Sequence, residues 1–344
     1  MDLLCLALGG MLQGKVPDFS ASVSSEIYEK AMRYADANKL QCLFLRATQS
    51  LNVDGLQVSE RNAIATKHVA KNAYILHLIT SVSDILSAEK IAHIFFKGPL
   101  QQKLLYGDFF SKPSADADIL VLRENYAEAR TLLVESGFIL PSNFKNLWWQ
   151  EFLGEQPLFR DGFMKPSLDL HHRLQQPGSP APRKLYRFLD NMTSVKLGTR
   201  EVPTANLVSI VLIAAMNLVK AVYHREPGGA HALDIQAALH MMTPVELSEL
   251  RSEARLQGLQ NTVAFSSRAS ATIFFLSDLY SDGNLDLPIP ETELAGLILA
   301  PEENSQYFPQ RRRMLAHLCD QVFPEVPIEA VRWLLSEGAR RVAK

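Results

Sequence analysis

Apolar residues recur at helical spacing through the first quarter of the chain. In SSEIYEKAMRYADANKL the stripe runs through Ile27, Ala31, Tyr34 and Ala35, with Leu40 just past Asn38. SERNAIATKHVAKNAYILHLITSVSDIL carries a second stripe, through Ile64, Val69, Ala73, Leu76, Ile79 and Leu86, with Ser59 as the expected cap. MDLLCLALGGMLQGKV, at the N-terminus, reads as a core-packing helix. The pattern then shortens. IAHIFF is β-branched and aromatic and ends in Lys97-Gly98-Pro99, which predicts a buried strand, a glycine turn and a helix with proline in its first turn. PLQQKLLYG is that helix, ADADILVL a second strand, and NYAEARTLLVESG a helix stopped by Gly137.

Asp161-Gly162 predicts a hairpin with arms over about 156 to 160 and 163 to 173. VKLGTREV predicts another about Gly198. From Thr204 onward the period returns to helical: HALDIQAALHMM, TVAFSSRASATIFFLSDLY, ETELAGLILA, QRRRMLAHLCDQVF and PIEAVRWLLSEGARRVA. Thr243-Pro244-Val245-Glu246 is a capping box with proline at the first helical position. The expected fold class is therefore α+β. A small mixed sheet over residues 89–203 lies between helical regions at 1–88 and 204–344.

Composition narrows the function classes. Hydrophobic residues make up 47% and charged residues 21% of 344, as in a folded domain and not a disordered one. The net charge of -2 carries no strong nucleic-acid signal. Cys5, Cys42 and Cys319 stand far apart, so neither a disulfide framework nor a thiolate zinc site is expected, and a cytoplasmic location is. Asp2 stands where a secretory leader carries basic residues. The run at 208–216 is too short to cross a bilayer, so no membrane partner is expected.

The chemistry concentrates in SADADILV. In a strand, residues i and i+2 share a face, so Asp116 and Asp118 project together while Ala115, Ala117 and Ile119 face away. Two carboxylates that close repel, and a cation between them relieves this. Mg²⁺, or Mn²⁺ in its place, suits such oxygens and shares itself with phosphates. Two such ions can hold the attacking and leaving oxygens of a displacement at phosphorus. Taken alone, DxD is more often a solvated strand end than a metal site. SLDLHHR changes the balance. By the same period Ser167, Asp169, His171 and Arg173 share a face, which supplies a third carboxylate. FFKGP offers a turn whose backbone suits a phosphate, with Lys97 to offset charge, and it also reads as an ordinary strand-to-helix turn. His171 reads either as a substrate contact or as a structural partner of a carboxylate. Trp148-Trp149 fits an acceptor pocket or the core. His224 and His231 flank a Glu-Pro-Gly-Gly loop, match no metal motif and read as solvated loop histidines, and Arg311 to Arg313, with Arg340, Arg341 and Lys344, read as solvated helix faces.

A strand ending in Gly98, a helix, a strand opening DxD and a third Asp on a later strand resemble the polymerase-β-like nucleotidyltransferase superfamily. The resemblance is closest to its little-characterised bacterial branch. The matching positions are Lys97-Gly98, Tyr106, Lys112, Asp116 to Val121 and Asp169-Leu170-His171, with Lys220 and Asp234 in a later helical segment. It covers about residues 60 to 240. It implies that Asp116, Asp118 and Asp169 bind Mg²⁺ or Mn²⁺ and catalyse transfer. It implies that Lys97, Gly98, Lys112 and Lys220 meet phosphates, and that His171 and Asp234 face substrate. The implied donor is an NTP, ATP foremost. The acceptor is an unidentified small molecule, peptide or protein. Three positions depart from the pattern: Gly98-Pro99 stands for Gly-Ser, Lys112 for Arg and Asn217 for His. These departures motivate an alternative, a nucleotide- or partner-binding protein with a degenerate nucleotidyltransferase fold. An all-helical interaction protein with an incidental DxD is a third reading.

Overall fold

The computed structural model describes residues 1–15, 23–51, 58–160, 167–280, 290–304 and 325–343. Four helices come first: α1 (Asp2–Leu12), α2 (Ser25–Ala37), α3 (Gln41–Ala47) and α4 (Val58–Ala88). A six-stranded sheet follows, built from β1 (His93–Phe95), β2 (Asp116–Val121), β3 (Glu155–Phe159), β4 (Ser167–His171), β5 (Met192–Leu197) and β6 (Arg200–Ala205). Its order is β3-β4-β2-β1-β6-β5. β2 runs antiparallel to β1 and parallel to β4, and β1 is parallel to β6. α5 (Pro99–Tyr106), α6 (Arg123–Glu135) and α7 (Tyr186–Asp190) lie between strands. α8 (Leu207–His224), α9 (Gly229–Met241), α10 (Pro244–Gln257), α11 (Gln260–Ile273), α12 (Glu291–Leu299) and a final helix, Glu325–Ala343, follow the sheet. This mixed α+β architecture, with helices at both ends, matches the expected class and leaves no room for an all-helical reading.

The two faces of the sheet serve different ends. Ala117, Ile119 and Val121 of β2 and Leu168 and Leu170 of β4 pack with Ile75, Ile79, Val82 and Leu86 of α4 and Ala129 and Leu133 of α6. Each such leucine or isoleucine contributes about 2 kcal/mol by leaving water. The alternate positions, Asp116, Asp118, Asp169 and His171, must then point to the opposite face. There Ile94, Phe96 and Leu120 join a larger core built mainly from α1, α2, α8, α9 and α11. α8 is buried along most of its length and is long and apolar enough, by composition, to cross a membrane. It extends beyond the short run expected at 208–216. Its surroundings make it the central core helix, packed on α9 and α11.

Several local expectations shift. In α2 the buried residues are Tyr28, Ala31 and Ala35, and Ile27 is exposed. In α4 the buried stripe is Asn72, Ile75, Leu78, Ile79, Val82 and Leu86, so Val69, Ala73 and Leu76 fall at its edge or in solvent. α4 begins at Val58, and the side chains of Ser59 and Ile64 lie outside the described residues, as do the Asp161-Gly162 turn and Arg311 to Arg313. The strand β6 persists to Ala205, one residue past the expected onset of helix at Thr204. Trp148 and Trp149 are half-buried in a π-helical turn, Trp148–Leu153, where Trp149 packs edge-on against Phe144. The Thr243 capping box forms as read, with Thr243 N–H donating to Glu246 at 2.8 Å.

One side chain ties distant helix ends together. Asn38, just past α2 and 1% exposed, donates through Nδ2 to the carbonyls of Tyr34 (2.9 Å) and Leu299 (2.8 Å). Its Oδ1 accepts the Gly229 N–H at 2.8 Å. The C-termini of α2 and α12 and the N-terminus of α9 are thereby joined.

Candidate active site

The floor of the site follows from the register of β2 and β4. These strands are parallel, with Asp118 directly beside Asp169 and Asp116 beside Ser167. His171, two residues beyond Asp169 on the same face, brings Nε2 to 3.1 Å from Asp118 Oδ1. Lys97, at the end of β1, donates to the same oxygen at 3.0 Å. Ligand atoms of Asp118, Asp169 and His171 lie within 4.8 Å of one another. Asp118 and Asp169 lie side by side on the shared strand face that the period of two predicts, His171 joins them, and Asp116 stands two residues along β2 beside Ser167.

Charge is unevenly settled across this floor. Burial works against ionisation of Asp118, but Lys97 and His171 outweigh it and hold the carboxyl far below its ordinary range. Asp169 has no such support. Burial and then the Asp118 charge push it up to about 7, and its Oδ1 is buried without a hydrogen-bond partner among the described residues. Burial and Asp118 likewise raise Asp116. Burial alone would lower His171, yet Glu155, with Oε2 at 3.6 Å from Nδ1, and Asp118 raise it. An orphaned carboxylate oxygen beside an ionised partner is what a hard divalent cation would satisfy, and the two carboxylates are oxygen ligands of the kind such an ion takes. The residues fit such an ion.

Above the floor lies a cleft whose opposite wall comes from α8 and α9. Gly98 caps α5 at φ 77° and lines the cleft. A side chain there would be strained, which explains the glycine. Lys112 is nearly buried and sets its ammonium 2.5 Å from both oxygens of Asp234 in α9. Tyr106 donates its hydroxyl to Asp234 Oδ1 at 2.5 Å, and Gln101 Nε2 donates to Oδ2 at 3.0 Å. Lys112 and Asp234, expected separately at phosphate and substrate, are thus partners of each other. Lys220 sits half-buried on α8, one turn beyond Asn217, where burial and then Lys97 lower its pKa. Asn217 itself lines the cleft and accepts from Gln175 at 3.1 Å.

Two cleft residues carried no usable signal in the sequence. Lys39 reaches the cleft from the turn after α2. His231 stands in the first turn of α9, not in a loop, and burial followed by the Lys112 charge pushes it down to about 3, so it is neutral. His224, at the end of α8, pairs instead with Gln176 at 3.1 Å. A family model described as "Uncharacterised nucleotidyltransferase" matches residues 25–274, a span that takes in both the floor and this wall. No curated protein matches the chain.

Proposed function

Because the chain belongs to the uncharacterised nucleotidyltransferase family, we propose that it moves a nucleoside monophosphate from an NTP, ATP foremost, to an acceptor and releases pyrophosphate. The observation that carries this reading is the adjacent pair Asp118 and Asp169, one settled by cations and the other with a bare buried oxygen. Asp118 and Asp169 would hold Mg²⁺ or Mn²⁺, with His171 beside them and Asp116 on the side of the triphosphate. A bound divalent ion supplies charge neutralisation at phosphorus and lowers the pKa of a hydroxyl near it.

The chain's own groups do the rest. Asp169 orients the acceptor hydroxyl and takes its proton as the new P–O bond forms and the bond to the β-phosphate breaks. His171 orients Asp118. Lys97 and Lys220 offset phosphate charge, Lys112 fixes Asp234 in the facing wall, and the Gly98 turn lets phosphate approach the backbone. The helical segments at 1–88 and 204–344 select the acceptor, a small molecule or a peptide or protein, in a cytoplasmic setting.

The test is pyrophosphate release with Mg²⁺ or Mn²⁺ and each NTP, with cell extract as a source of acceptor. Metal-dependent release that is lost in Asp118→Asn is expected, and release undiminished in that variant overturns the proposal. A second reading rests on Asp118 Oδ1, which already holds both Lys97 and His171: nucleotide binding without turnover would favour a binding protein on the same fold.

A further inference from the structure

We propose that the β- and γ-phosphates of the NTP, and pyrophosphate after transfer, sit between Lys39, the Ser114 hydroxyl and the backbone turn at Gly98. The inference rests on the nucleotidyl-transfer reading and adds two residues that lie outside the recognisable motifs.

Ser114 is 7% exposed and lines the cleft. Its Oγ accepts from Gln102 Nε2 at 2.9 Å. Gln102 cannot turn over, because its Oε1 accepts the Lys112 N–H at 2.9 Å. The Ser114 N–H donates to Asn72 Oδ1 at 3.0 Å, and Asn72 Nδ2 donates to the carbonyls of Phe109 and Lys112. The loop before β2 is thus held by an amide network in which one donor is left over. The Ser114 hydroxyl hydrogen has no acceptor among the described residues. A buried donor without a partner asks for one. The hydroxyl stands beside the Gly98 turn: a Cβ on Gly98 would be 3.7 Å from Ser114 Oγ and 3.8 Å from the Asp116 carbonyl oxygen. Gly98 makes no side-chain cap to α5, and Pro99 follows it, so the helix start carries open backbone donors.

The cation comes from across the cleft. Lys97 is bound to Asp118 and Lys112 to Asp234. Lys39 has no ion pair among the described residues, and its charge is felt at Asp116 and His231. It closes α2 in the left-handed region at φ 58°, where its N–H donates to Asp36 and the Leu40 N–H donates to Ala35. Glycine usually holds that position. Lys90 closes α4 in the same way, so the conformation alone is no signal; Lys39 differs by facing the cleft. Along β2, the step from Asp118 to Asp116 leads away from Asp169 and toward Gly98. The phosphates that leave would therefore lie at this end, opposite the acceptor.

The backbone conformation supplies an unusual test. Lys39→Gly removes the charge while placing the relaxed residue at a left-handed position, so folding does not suffer. Titration calorimetry with Mg²⁺ compares inorganic pyrophosphate, a non-hydrolysable NTP analogue and the monophosphate, alongside thermal midpoints. Lys39→Gly and Ser114→Ala are each expected to weaken pyrophosphate and triphosphate binding about tenfold and to leave monophosphate binding unchanged. Lys39→Arg restores affinity. Lys90→Gly, away from the cleft, raises the midpoint and changes no affinity. Wild-type-like pyrophosphate and triphosphate binding in both variants, or an equal loss for the monophosphate, overturns the seat and leaves the transfer reading standing. Failure of the unaltered protein to bind any NTP removes both.

Discussion

Two aspartates on opposite sides of the cleft show what burial does to a carboxylate. On the helical wall, Asp234 is 4% exposed and meets Lys112 with both oxygens, Tyr106 with one and Gln101 with the other. On the strand floor, Asp169 is also largely withdrawn from water, yet one oxygen has no hydrogen-bond partner among the described residues and the neighbouring charge it feels most is another carboxylate. The first arrangement is closed and leaves nothing for a ligand to add. The second is open, and its cost to the metal-free fold is recovered only when something positive arrives. A satisfied buried acid positions its surroundings; an unsatisfied one marks where chemistry can enter.

Four measurements would break or sharpen this contrast. The largest effect is expected at the open end: Asp118→Asn or Asp169→Asn should lower the pyrophosphate-release rate by about a hundredfold to a thousandfold, without loss of the folded state by circular dichroism. At the closed end the penalty should fall on stability instead. Asp234→Ala leaves Lys112 buried and unpaired, and urea denaturation should show a loss of about 3–5 kcal/mol. Asp234→Leu combined with Lys112→Met should recover much of that loss, because the uncompensated charge goes too.

A third measurement reads the open carboxylate through pH. Unfolded, Asp169 releases its proton near pH 4, and folded near 7. Between those values the folded state binds more protons, so this group makes the metal-free protein less stable as pH rises from about 4 to about 7. Asp169→Asn removes that dependence. Its stability relative to the unaltered chain should climb across the same window and level off above it, by about 4 kcal/mol for a carboxyl pKa moved from near 4 to about 7. The smallest effect extends the closed class to Glu253, which accepts from Arg187 at 2.8 Å and from Gln257 at 2.8 Å. Burial opposes its charge, but these bonds lower its pKa. Its contribution is therefore full above the ordinary glutamate pKa and is lost as pH falls through the lowered folded value. Glu253→Gln should cost about 1.5 kcal/mol at neutral pH and flatten the acid limb of the stability profile.

The floor was legible in the sequence because its information is local. A period of two within ADADILV and SLDLH fixes which residues look the same way, and apolar neighbours fix which way is inward. The pairing of the two segments then needed only the parallel register that sets Asp118 beside Asp169. The wall was not legible, because its contacts join residues far apart. Gln101 meets Asp234 across 133 positions and Asn38 meets Gly229 across 191. No periodicity records such meetings, so nothing in the sequence marked Lys39, and His231 read as a solvated loop histidine. The α4 stripe fell between these cases. Its helix was plain, but Asn72, a polar residue, lies on the buried side because the loop before β2 needs its amide.

The Asn38 amide has a mechanical consequence. Its bonds to Tyr34, Leu299 and Gly229 join three helix ends at the rim of the cleft, on the side that carries Lys39 and His231. A motion that parts α2 from α9 to admit a bulky acceptor must break the Gly229 bond in a place with no water to replace it. The inexpensive motion keeps all three ends together and swings them as one jaw against the sheet. Any parting of α2 from α9 would therefore be opposed at this one side chain.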